Sequence, residues 1–156
     1  MQWSEVLADP SLRDLPYKIE LDEFGRIVMS PASNRHGRIQ AQLVRLLARL
    51  FSEGEVFVEY SVATHAGVKV ADVAWMSAEF GARHGDITPC PAAPDLCIEV
   101  LSPSNAPAEM TGKIHLYLGY GAREVWTVSE AGDIRLFGPE GERQLSCFEN
   151  VGRPAL

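Results

Sequence analysis

The sequence predicts an α/β domain: a mixed central sheet flanked by helices, with a hairpin near the N-terminus. Three observations carry this. Residues 96–101, Leu-Cys-Ile-Glu-Val-Leu, form a short run that is apolar on both faces save one residue, the pattern of a strand in the middle of a sheet. Two helical stripes lie on either side of it in the chain. Ile39, Leu43, Leu46, Leu47 and Leu50 make one, and Lys113, Leu116, Tyr117 and Tyr120, spaced i, i+3, i+4, i+7, make the other. Several further segments alternate or run apolar between turn residues, as strands do.

With 156 residues, 46% of them hydrophobic, the chain is long enough to bury one proper core. No internal repeat, low-complexity tract or linker divides residues 1–156, so one domain is expected. In order, residues 1–16 read as a short leader with one helical turn around Trp3 to Leu7, broken by Asp9-Pro10 and Leu15-Pro16. Tyr17-Lys18-Ile19-Glu20-Leu21 and Arg26-Ile27-Val28-Met29 alternate around Asp22-Glu23-Phe24-Gly25, a hairpin signal. Ser33 offers an N-cap for a helix that runs to about Phe51. Arg38, Arg45 and Arg49 fall on the face away from its apolar stripe and read as solvated. His36 and Gln40 fall near the stripe, pointing towards the sheet.

Residues 55–63 and 68–76 are two more strands, the second apolar on both faces apart from Lys69 and Asp72. Residues 78–93, rich in Gly, Pro and polar side chains, read as a surface loop, a lid or substrate loop in function. Its His84 and Asp86 make only a weak metal pair. A helix is expected over 107–120, with Lys113 on its inward face and Glu109 one turn earlier as a partner, unless the lysine stem snorkels to water. Residues 124–128 form another strand, and 134–137 with 143–148 a closing hairpin around Gly138-Pro139-Glu140-Gly141.

Composition narrows the function. The net charge of −7 argues against tight, charge-driven nucleic-acid binding and leaves room only for a local basic rim, for which Arg35 and Arg38 are candidates. Binding to DNA should then be weak and salt-sensitive. No apolar run approaches the roughly 20 residues of a membrane span, and the start of the chain lacks the basic and apolar regions of a signal peptide. Cys90, Cys97 and Cys147 form no ligand pair, which fits free thiols in a cytoplasmic protein. There is no phosphate loop, GxGxxG or GxSxG.

Three residues occupy places that apolar side chains normally take. Asp72 shares a strand face with Val70 and Ala74. Glu99 shares one with Asp95, Cys97 and Leu101, and Lys113 sits on an inward helical stripe. An unpaired buried carboxylate costs several kcal/mol and needs a cation, a partner or a proton. Two such carboxylates on neighbouring strands suit a shared Mg²⁺, with Mn²⁺ as substitute, and the metal would polarise a phosphate and activate water. A nearby ammonium would hold that water or stabilise developing charge. This is the equipment of metal-dependent phosphodiester hydrolysis. Lys113→Met is expected to be at least as stable as wild type, because it removes a costly buried charge.

The strand-strand-helix order carrying Asp72, then Glu99, resembles the PD-(D/E)XK nuclease superfamily. More closely, nearly the whole chain resembles the Uma-type family of bacterial restriction endonucleases. The likeness rests on Leu15-Pro16-Tyr17-Lys18-Ile19-Glu20-Leu21, Ile27-Val28-Met29-Ser30-Pro31 and Lys69-Val70-Ala71-Asp72-Val73-Ala74-Trp75. It continues through Ala93-Pro94-Asp95-Leu96-Cys97-Ile98-Glu99-Val100-Leu101-Ser102, Lys113-Ile114-His115-Leu116-Tyr117 and Glu124-Val125-Trp126. The resemblance implies a restriction-endonuclease-like fold, DNA as substrate and a homodimer. It also implies a site of Asp72 and Glu99 as metal ligands, with Lys113 and His36 beside them. His36 matches in position a polar residue of the first helix that joins such sites. The chain departs from the pattern twice: Leu101 stands where the superfamily has its lysine, so that role passes to Lys113, and Ala71 stands where it has proline. Pro94-Asp95 keeps the literal dipeptide, but Asp95 starts its strand and ranks behind Asp72. A catalytically inactive scaffold with the same fold, and a phosphodiesterase acting on another substrate, are the alternatives.

Overall fold

A computed structural model describes residues 1–156. Helix α1 (Trp3–Ala8) is followed by a 3-10 turn (Pro10–Leu12). Strands β1 (Tyr17–Leu21) and β2 (Ile27–Pro31) form the expected hairpin, and α2 spans Asn34–Leu50. Then come β3 (Glu55–Thr64), β4 (Gly67–Met76), α3 (Ala78–His84), β5 (Leu96–Val100), α4 (Pro107–Gly119), β6 (Glu124–Val128), β7 (Ile134–Gly138) and β8 (Gly141–Arg143).

The main sheet has the order β3-β4-β5-β6-β7-β8. Only β5 and β6 are parallel, and α4 is the crossover between them; every other pairing is antiparallel. This is the mixed sheet that the apolar run of β5 required, and all five residues of that strand are buried. Ser33 caps α2 by accepting from the amide of His36. Leu43 and Leu47 of α2 are fully buried against Val73, Ile98 and Trp126 on one sheet face. Truncating either leucine to alanine would cost about 2–5 kcal/mol. Met110, Ile114 and Tyr117 of α4 and Phe80 of α3 cover the other face, over Ala74, Met76, Cys97 and Val125.

The β1–β2 hairpin is a separate two-stranded sheet. It docks on the first half of β4, where Leu21 packs with Trp3, Val6, Val68 and Val70. Gly67 makes this close approach possible. Its φ is +95°, and a Cβ there would collide with the carbonyl oxygens of Leu21 and Asp22. The docking puts the polar face of β1 against β4, and the functional site depends on it.

Two elements differ from expectation. Residues 78–93 are not all loop, because α3 occupies Ala78–His84, capped by Ser77. That short helix buries a single residue, Phe80, so no stripe marks it in the sequence. The last strand is Gly141–Arg143, not 143–148. Glu124 draws the chain away from the sheet, its carboxylate accepting from Ser146 Oγ at 2.7 Å and from the Cys147 amide at 2.8 Å.

Candidate active site

The site forms where β4 and β5 part. Their ladder runs Trp75↔Leu96, Ala74↔Cys97, Val73↔Ile98 and stops. Asp72 and Glu99 would be the next pair. At this fork the amide of Val100 donates instead to Asp72 Oδ2, at 2.7 Å. The β3–β4 register likewise passes from Val58↔Val73 to Tyr60↔Ala71 without pairing Glu59 and Asp72. Glu59 has φ +53°, an uncommon state for a non-glycine residue.

Asp72 and Glu99 are 1% and 2% exposed. At that depth an unpaired carboxylate would be untenable, and both are paired. Lys18 of β1 places Nζ 2.9 Å from Asp72 Oδ1 and 3.1 Å from Glu99 Oε2. Lys113 of α4 places Nζ 2.8 Å from Glu20 Oε1 and 3.5 Å from Glu99 Oε2. Tyr117 donates its hydroxyl to Glu99 Oε1 at 2.7 Å. Glu20, also buried, accepts the amide of Val70 at 2.8 Å. His36 Nε2 lies 3.3 Å from Asp72 Oδ1. Gln40 donates to Glu59 Oε1 at 2.8 Å and to the Asp72 carbonyl at 3.1 Å.

Burial by itself would raise the Asp72 carboxyl, but the hydrogen bond to His36 and the Lys18 charge outweigh it and hold it down at about 2. Glu99, deeper, is pushed up by burial in spite of Lys18 and Lys113. Burial pulls both lysines down, and the surrounding carboxylates, Glu99 foremost, more than offset it, so both stay protonated. His36 is raised, first by its hydrogen bond to Asp72. A histidine raised on folding lends stability that is fully present below its ordinary value near 6.5 and is lost as the pH rises through its folded value. His36→Ala should therefore lower the Tm of metal-free protein more at pH 5.5 than at pH 8.5. Equal losses at both values in a melting series would detach His36 from Asp72.

All four side chains expected at the site, Asp72, Glu99, Lys113 and His36, line one open cleft of about 340 Å³. Lys113 does not pair with Glu109 and does not bond Asp72. Its partners are Glu20 and Glu99. Sequence reasoning missed Lys18 and Glu20, which looked like the wet face of a hairpin strand, and Glu59 at the cleft wall. Tyr117 belongs to the apolar stripe of α4 by its spacing, but a buried tyrosine hydroxyl normally requires a partner, and here it is Glu99. Asp95 lies at the far end of β5 and accepts from the Ser77 amide at 2.8 Å. His84 packs on the ring of Phe80.

No group of three or more His, Cys, Asp or Glu side chains has a metal-binding arrangement. Mg²⁺ needs no such group, because it keeps several waters and binds through one or two carboxylates. Asp72 and Glu99 fit that requirement as a hard-oxygen pair, and the Lys18 ammonium already marks a cation position between them.

Comparisons with known proteins bear on the fold and the family. No curated protein matches the chain. A solved structure titled as a "putative nuclease belonging to DUF820", from Anabaena variabilis ATCC 29413, shares its fold. The TM-score is 0.70 at 20% identity, over 91% of this chain and 82% of that one. A family model described as "Uma2: Putative restriction endonuclease" matches residues 7–154. That match takes in both strands of the fork, the hairpin that supplies Lys18 and the helix that supplies Lys113, and the chain belongs to the Uma2 family.

Proposed function

We propose that the protein is a Mg²⁺-dependent endonuclease that hydrolyses DNA phosphodiester bonds in the cleft at the β4–β5 fork. The observation that carries this is the ammonium of Lys18, held within 3.1 Å of two buried carboxylates on strands that have stopped pairing. Asp72 and Glu99 would hold the metal. When bound, it would supply Lewis-acid charge at a phosphate oxygen. Lys18, displaced from between the carboxylates, would face the phosphate and offset the negative charge that grows on its oxygens. Lys113 and Tyr117 orient Glu99, and His36 orients Asp72.

Purified protein should nick supercoiled plasmid in Mg²⁺ or Mn²⁺. Asp72→Asn and Glu99→Gln should each lose cleavage by at least about 10²-fold, the scale of one lost electrostatic contact to the transition state, and should also lose metal binding by calorimetry. Wild-type protein that takes up neither metal would end this reading. A homodimer would present two such sites to the two strands of a duplex, and sedimentation at micromolar concentration tests it. One observation favours a different phosphodiester substrate: no arginine lines the cleft. Faster turnover of small phosphodiesters than of DNA would establish that alternative.

A further inference from the structure

The longest helix carries a charge pattern that its own stability does not explain. Helix α2 has seventeen residues and no aspartate or glutamate. Arg35, Arg38, Arg45 and Arg49 fall within about 80° of one another around its axis at 100° per residue. All four are exposed, on a face centred about 110° around the axis from the buried Ile39, Leu43, Leu46 and Leu47. From Arg35 to Arg49 the helix rises about 21 Å.

Of the other seven arginines of this −7 protein, four pair with carboxylates, and Arg13, Arg123 and Arg153, scattered over the surface, do not. Arg26 pairs with Asp22, Arg83 with Glu79, Arg135 with Glu142, and Arg143 with Glu124 and Glu140. Arg38, Arg45 and Arg49 enter no ion pair, and Arg35 makes a single bond, from Nε to the carbonyl of Glu130 at 2.7 Å. Arg49, in the last turn, suits the helix dipole. Arg35 and Arg38 do not: they lie in the first two turns, where the dipole favours acids, and the first turn has none. A local rule broken without a local compensation points to a role outside the helix.

The ridge begins in the first turn of α2, the turn that carries His36, but on a different side of the helix. Arg35 is adjacent in sequence to His36, whose imidazole is 3.3 Å from Asp72. We infer that this ridge is the phosphate-tracking surface for nucleic acid, along which a strand engaged in the cleft continues. The inference rests on the nuclease reading above. Guanidinium groups are suited to phosphate oxygens by their fork of donors, and at 3.4 Å of axis per step the ridge reaches along roughly six base-pair steps of a duplex. The ridge also places the basic surface outside the cleft, whose lining has no arginine.

Binding can be read without turnover, so this inference and the nuclease reading fail separately. The anisotropy of a labelled 20-base-pair duplex would be titrated with full-length protein in EDTA, at several salt concentrations. Arg45→Gln/Arg49→Gln should weaken binding at least tenfold at low salt. It should also flatten the slope of log K against log[salt] by about 1.8, the release expected for two phosphate contacts. Arg83→Gln/Arg135→Gln, which has the same net charge, should shift Kd by less than twofold and leave the slope unchanged. Thermal melts of both variants identify any loss that comes from misfolding, and Arg38→Gln then serves as the second test, with a slope change of about 0.9. Equal effects from the two double variants would overturn the inference. So would wild-type protein that binds phosphatidylglycerol vesicles and not the duplex.

Discussion

Lys18→Met should sharply slow DNA cleavage and at the same time tighten metal binding. The two effects have one cause. The Lys18 ammonium sits between Asp72 Oδ1 and Glu99 Oε2, at 2.9 and 3.1 Å, so a divalent cation must compete with it for the same oxygens. Methionine keeps much of the stem and removes the competitor. Without metal, the variant has two buried carboxylates facing each other across the fork. Breaking a buried pair in this way costs about 3–5 kcal/mol, so the Tm of the metal-free variant should fall well below that of wild type. Added Mg²⁺ should then restore more stability to Lys18→Met than to wild type, since a ligand at 100 times its Kd contributes about 2.7 kcal/mol. Cleavage should fall by about 10²–10³-fold, as when one donor to a developing anion is removed. The Asp72 carboxyl, held at about 2 partly by Lys18, should titrate at higher pH in the metal-free variant. Cleavage at the wild-type rate, or metal affinity that is unchanged or weaker, would remove Lys18 from the cation position and return the lysine role to Lys113.

How much of this was legible in the sequence depends on whether a residue breaks its local pattern. Asp72 and Glu99 each interrupt an apolar strand, and both prove to be buried at one fork. Lys113 interrupts an apolar helical stripe and is 7% exposed. Lys18 and Glu20 interrupt nothing. The alternation of Tyr17-Lys18-Ile19-Glu20-Leu21 is what a half-exposed hairpin strand shows, and the docking of β1 onto β4 alone turns its polar face inward. One trace existed, because two buried carboxylates set against one buried lysine leave a charge without a counter-ion. The arginines of α2 were hidden for the opposite reason, since an exposed charged face is the ordinary outside of a helix. Their departure from the ordinary shows only when the ion pairs are known. Helix α3, with one buried residue, has no periodicity to detect.

From the sequence, Lys113→Met is expected to be at least as stable as wild type because it removes a costly buried charge; the partners seen at Lys113 lead us to expect the opposite sign. Lys113 Nζ is 2.8 Å from Glu20 Oε1, and Glu20 is 5% exposed. The same oxygen accepts the amide of Val70, so Glu20 ties the hairpin to β4 and Lys113 neutralises that tie. With methionine at position 113, Lys18 alone would face Glu20, Asp72 and Glu99, and it stands 3.9 Å from Glu20. A buried charge left without its partner costs about 3–5 kcal/mol, which for a domain of this size is a fall in Tm of roughly 6–20 °C. Glu20→Gln should cost less, because the amide oxygen still accepts from Val70 and Lys113 keeps Glu99 at 3.5 Å. The double variant Glu20→Gln/Lys113→Met removes both members of the pair and should be more stable than Lys113→Met alone. That reversal is the signature of a coupled pair in a double-mutant cycle. The same order should appear in activity, because Lys18 and Glu20 share β1. When the hairpin loosens, cleavage falls with it, and when Glu20 is neutralised alongside Lys113, part of it returns. A Lys113→Met protein that melts within a degree of wild type, or a double variant that loses the sum of the two single losses, would show that Lys113 is not the counter-ion that holds the hairpin in place.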